Sequence, residues 1–122
     1  MWVFTKEGFY SVVCKDRGKD EVLIRTRCKD DLLNICSKLN VKLDISKSEN
    51  SDYLYETVCK KQLWAKYLSD YVFDLDYDNV KENIAILGDK ARMDAYQTVW
   101  STMYNWLGRE ANLVNQKNME SV

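Results

Sequence analysis

The hydrophobic pattern changes its period part-way along the chain, and this confines the fold more than any other feature. Up to residue 60, apolar and polar side chains mostly alternate in short runs, interrupted by one helical stretch at 30–40; beyond it, apolar residues recur every three or four positions. Period two belongs to half-buried strands and period 3.6 to amphipathic helices. Two strands are expected to open the chain, Trp2 to Thr5 and Phe9 to Lys15, both rich in aromatic and β-branched residues, with Gly8 between them at a bulge or bend. Asp16 to Asp20 is a polar turn cluster around Gly18. From Glu21 to Cys28, Val22, Ile24, Thr26 and Cys28 share one face, and Leu23, Arg25 and Arg27 share the other.

A helix follows, with Asp30 as N-cap, Leu32, Ile35, Cys36 and Leu39 at helical spacing, and Asn40 as C-cap. Val41 to Ser46 alternates again and is expected as a strand. So is Tyr53 to Cys59, with Leu54, Glu56 and Val58 opposed to Tyr53, Tyr55 and Thr57. Leu63, Trp64, Tyr67, Leu68 and Tyr71 mark a helix over Lys61 to Val72. Asn79 with Glu82 opens a short helix ending at Gly88. Asp89 caps a last helix, which Gly108 stops.

These elements predict an α+β fold in the order ββαββα. Its form is an antiparallel four-stranded sheet with both long helices on one face: a ferredoxin-like sandwich begun at a permuted strand, with a C-terminal helical extension. One domain over residues 1–108 is expected, with a sheet half at 1–60 and a helical half at 61–108. Residues 109–122 read as a polar, frayed tail.

Composition excludes much chemistry. The 122 residues contain no histidine, which removes Ser-His-Asp and Cys-His machinery, imidazole metal ligands and imidazole pH switches. Lys and Arg total 18 against 19 Asp and Glu, so a duplex-DNA binder is not indicated. Residues 1–61 hold 12 basic and 10 acidic side chains, net +2; residues 62–122 hold 6 and 9, net −3. Lys6 and Glu7 interrupt the apolar start, and the longest purely aliphatic run is Val22-Leu23-Ile24. No signal peptide or membrane span is therefore expected, and the location is expected to be cytoplasmic. Cys14, Cys28, Cys36 and Cys59 form no C-x-x-C pair and read as reduced, small hydrophobic side chains. Phosphate loops and nucleophile elbows are missing, so no cofactor is expected and the chain leans away from being an enzyme.

Three constellations remain. Asp74, Asp76 and Asp78, with Asp70 before them, would converge on a hard cation if the stretch were extended, giving a metal-dependent phosphoryl enzyme; helix capping is the competing explanation. Arg25 and Arg27 lie on one strand near strand aromatics such as Phe9, Tyr10, Tyr53 and Tyr55, the pattern of a sheet that binds single-stranded nucleic acid. Tyr104 and Trp106 lie beside the Trp100–Met103–Leu107 stripe of the last helix and widen it, so that Trp100, Tyr104 and Trp106 point to a protein partner or a homodimer.

Met1-Trp2-Val3-Phe4-Thr5, Gly8-Phe9 and Ser11-Val12-Val13 resemble the opening of a group of short, uncharacterised bacterial proteins. Asp76-Tyr77-Asp78-Asn79 with Lys81, and Val99-Trp100 with Met103, resemble two later islands of that group. The group usually has Phe after the Asn, where this chain has Val80. The resemblance implies a shared fold and no particular activity. The leading expectation is a small non-enzymatic binding protein that works by protein contacts, such as a phage or mobile-element inhibitor of host defence. The nucleic-acid and metal readings stand as alternatives.

Overall fold

The computed structural model describes residues 1–14 and 18–107. By its contacts the chain divides into two compact units, Met1–Asp78 and Asn79–Val122. The expected helix stop at Gly108, the tail at 109–122, and Lys15 to Arg17 around the first turn cluster lie outside the described residues.

The first unit contains β1 (Trp2–Thr5), β2 (Gly8–Val13), β3 (Glu21–Thr26), α1 (Lys29–Leu39), β4 (Ser46–Lys47), β5 (Tyr55–Lys60) and α2 (Lys61–Phe73). The sheet has five strands, not four, in the order β1-β2-β3-β5-β4, with every neighbouring pair antiparallel. The additional strand arises because Trp2–Thr5 and Gly8–Val13 pair with each other across the two residues Lys6 and Glu7. Thr5 closes this turn: its Oγ1 accepts from the backbone N–H groups of Glu7 and Gly8, each at 3.1 Å, and donates to the Gly8 carbonyl at 3.2 Å. β3 and β4 are each antiparallel to β5, so they run parallel to each other with β5 between them, joined through α1.

Alternation places Tyr10 and Val12 of β2, Val22 and Ile24 of β3, and Cys59 of β5 on one face. There they form the core with Leu32 and Ile35 of α1 and Trp64 and Tyr67 of α2. Gly8 allows the closest approach in this layer. A Cβ built there would lie 2.7 Å from Cζ of Tyr10 and 2.8 Å from Cβ of Asp31. The glycine expected at a bulge or bend therefore sits in regular register opposite Thr5 and makes room for a ring and a helix.

Two further expectations are corrected. Val41 to Ile45 is not a strand; only Ser46 and Lys47 pair with β5. The alternation there marks an extended, half-buried segment that leaves the sheet edge. Helix α1 begins after Cys28 rather than Asp30. Asp30 and Asp31 instead occupy its first turn, where carboxylates favour the positive helix end. Asn40 ends α1 in the left-handed region at φ 53°, as its residue type allows.

The second unit contains α3 (Val80–Leu87) and α4 (Lys90–Trp106), packed on each other. Asn79 accepts through Oδ1 from the N–H groups of Lys81 at 2.9 Å and Glu82 at 3.2 Å. Gly88 closes α3 at φ 81°, and Asp89 accepts from the Arg92 N–H at 3.0 Å. Ile84 and Tyr96 are buried, while the last two turns of α4 stay exposed.

Candidate nucleic-acid interface

The face of the sheet turned away from α1 and α2 carries the other half of each alternation. Val3 packs toward the core, so Trp2 and Phe4 stand on the opposite side. The register then sets Trp2 opposite Ser11, Ser11 opposite Arg25, and Arg25 opposite Glu56, one row across four strands. Phe4 opposite Phe9 begins the next row.

The aromatic side chains of this face touch in sequence. Phe4 and Phe9 stack with centroids 4.5 Å apart and planes 8° from parallel. Trp2 meets Phe9 edge-on at 6.4 Å, and Tyr53 lies 6.2 Å from Phe9. Both guanidinium groups rest on Tyr53, Arg25 at 4.7 Å and Arg27 at 5.7 Å from its centroid. Arg25 also donates through Nη2 to Ser11 Oγ at 2.8 Å; its Nε is shielded from solvent and has no hydrogen-bond partner among the described residues. Trp2 is 66% exposed and Phe4 37%, so ring surface faces outward. Rings of this kind stack on bases, and guanidinium forks match phosphate oxygens.

Of the residues expected here, Arg25, Arg27 and Tyr53 come together, with Phe9 beside them. Tyr55 does not join them: opposite the buried Thr26, it packs against the core. Tyr10 is wholly buried on the core face. Trp2, Phe4 and Ser11 are additions, readable only once β1 and β2 are known to pair. Beside the same row, a cleft of about 410 Å³ opens between β5 and the segment leading into β4, lined by Leu23, Lys42, Asp44, Ser46, Glu56 and Val58 with their neighbours.

The acidic run does not form a centre. Asp74, Asp76 and Asp78 are exposed, Asp74 caps the end of α2, and Asp76 pairs with Lys6 at 3.7 Å. Asp70 pairs with Lys66 at 2.7 Å. No group of three Cys, Asp or Glu side chains that could hold a metal ion exists among the described residues. On α4, Trp100 and Tyr104 stack at 5.2 Å, and Trp106 is 66% exposed.

A second polar constellation is centred on the buried tyrosines Tyr10, Tyr67 and Tyr71. The Tyr67 hydroxyl donates to Glu7 and meets the Tyr10 hydroxyl at 3.1 Å; Tyr10 donates to the Asp31 carbonyl at 2.9 Å. Lys38 approaches Glu7 at 3.4 Å and lies over the Tyr71 ring at 4.7 Å. Tyr71 bonds to Tyr77 at 2.8 Å and accepts from the Lys6 N–H at 3.2 Å. Burial raises the pKa of Tyr67 far above the ordinary tyrosine value, reinforced by Tyr10 and by the bond to Glu7. Burial, then the bond to Tyr77, raises that of Tyr71. The opening island and the Asp-Tyr-Asp-Asn island thus meet at Lys6, Asp76 and Tyr77. Lys81 and the Trp100 of the third island meet in the second unit, at 4.2 Å.

No protein-family model, curated protein or solved structure matches the chain. No helix among the described residues is long and apolar enough to cross a membrane.

Proposed function

We propose that the sheet unit binds single-stranded nucleic acid on the face opposite α1 and α2. The observation that carries this reading is the pair of guanidinium groups seated on Tyr53, continuous with the rings of Phe9, Phe4 and Trp2. Bases stack on Trp2 and the Phe4–Phe9 pair, and phosphates pair with Arg25 and Arg27. The binding involves no covalent step, so the role is non-enzymatic and needs no cofactor. The net +2 of residues 1–61 agrees with an anionic ligand on this half. The order of β2, β3, β5 and β4 with α1 and α2 supports reading four strands as a permuted ferredoxin-like core. On that reading β1 adds an edge strand that brings Trp2 and Phe4 to the face. Four cysteines with no C-x-x-C pair suit a reducing, cytoplasmic setting.

Fluorescence anisotropy with a labelled single-stranded 12-mer, competed by duplex of the same sequence, tests the reading. Single strands are expected to bind better than duplex, and Arg25→Ala with Arg27→Ala to weaken binding at least tenfold. Equal binding by the double variant overturns it.

A protein contact at α4 is the second reading, favoured by the exposed Trp100–Tyr104 stack and Trp106. Its simplest form is a homodimer. Light scattering then gives twice the chain mass, and Tyr104→Ala with Trp106→Ala restores the monomer mass; a monomeric parent chain removes this form.

A further inference from the structure

We infer that the cleft between β5 and residues 42–46 selects guanine in the bound strand; this rests on the single-strand reading above. The cleft exists because β4 pairs with β5 only at Ser46 and Lys47, so the chain before it splays from the sheet. Thr57 holds the rim, donating through Oγ1 to the Asp44 carbonyl at 2.7 Å. Leu23 and Val58, cross-strand neighbours, supply apolar surface, and Glu56, Asp44 and Lys42 supply charged groups. Its volume, about 410 Å³, accommodates a purine ring.

The position continues the proposed binding face. Glu56 lies directly opposite Arg25 in the ladder, one cross-strand step of about 5 Å from the residue that holds phosphate. A nucleotide whose phosphate sits on Arg25 therefore has its base within reach of the cleft. A carboxylate accepts only, so it favours a base that offers adjacent donors. Guanine offers N1–H beside its N2 amine. Adenine and cytosine place a ring-nitrogen acceptor beside their amine, and uracil flanks its one N–H with carbonyls. Glu56 thus attracts guanine and repels the acceptor edges of the other three, while the Lys42 ammonium suits guanine O6.

The test uses labelled 12-mers of repeating UUG, UUA and UU-inosine, with anisotropy titrations against the whole chain. Guanine strands are expected to bind about tenfold tighter than adenine strands, the low end for a bidentate base contact. Inosine, which lacks the N2 amine, is expected between them. Glu56→Gln is expected to bring guanine and adenine strands to equal affinity. If that variant does not fold, the guanine–inosine comparison on the parent chain still decides. Equal affinity of the three strands, with binding still lost on Arg25→Ala plus Arg27→Ala, overturns guanine selection and leaves the platform standing. Failure of every strand to bind overturns both.

Discussion

Tyr67 on α2 donates its hydroxyl to Glu7 in the turn between β1 and β2. Sixty residues separate the two, and the bond ties the last element of the sheet unit to its first turn. Asn34 and Lys38 of α1 reach the same residue, at its carbonyl and its carboxylate. One turn without a glycine at its centre is thereby fixed by two helices.

Removing that hydroxyl takes one hydrogen bond from the buried Tyr10 and one from the half-buried Glu7. Tyr67→Phe is expected to lower unfolding stability by about 1–3 kcal/mol. Urea denaturation followed by tryptophan fluorescence measures it. An unchanged midpoint would show that the bond contributes nothing net.

Gly8→Ala places a methyl group where Tyr10 and Asp31 already lie. Neither has room to retreat: Tyr10 is fully buried, and Asp31 accepts from the Phe9 N–H at 3.0 Å. Overpacking of this kind costs about 1–3 kcal/mol. The expected readout is a lower urea midpoint with an unaltered slope; parent-like stability would mean the layer can expand.

Stability is expected to decline in alkali. Below the ordinary tyrosine pKa of about 10, Tyr67 and Tyr71 are protonated whether folded or unfolded, and their contribution is fully present. Above it the unfolded chain releases those protons while the folded chain retains them, so unfolding is favoured as pH rises. Urea midpoints across this range should fall, and more gently in Tyr67→Phe. Phenolate absorbance appearing for all eight tyrosines before unfolding would contradict this.

The thiols should separate by accessibility. Cys59 is buried, and burial pushes its thiol pKa up, against a smaller opposing effect of its backbone bond with Trp64. Cys14 and Cys28 are exposed. Alkylation mapped by mass spectrometry is expected at Cys14 and Cys28 in the native protein and at Cys59 only after denaturation. Equal labelling of all three would contradict the burial of β5.

Much of this fold was legible because the deciding chemistry is local. Asn40, Asn79 and Asp89 are caps by residue type, and Val22, Ile24 and Thr26 alternate as their burial requires. Both opening strands were legible as segments; the count of four missed that they pair with each other, because the Lys6–Glu7 turn is closed by the Thr5 side chain rather than by turn residues. Tyr53 and Tyr55 show the same limit at the site. Strict alternation puts them on one face, yet β5 begins only at Tyr55, and the bend before it turns Tyr53 to the other side under Arg25. Alternation gave Arg25 and Arg27 a common face correctly; only the ladder could bring Trp2 and Phe4 to it.

The most direct measurement is the salt dependence of single-strand binding by the parent chain and by Arg25→Ala with Arg27→Ala. Each phosphate neutralised on a single strand adds about −0.7 to the slope of log K against log salt. Two guanidinium groups on phosphates predict a parent slope of about −1.4, falling toward zero in the double variant. An identical slope and affinity in both proteins would contradict the assignment of this face.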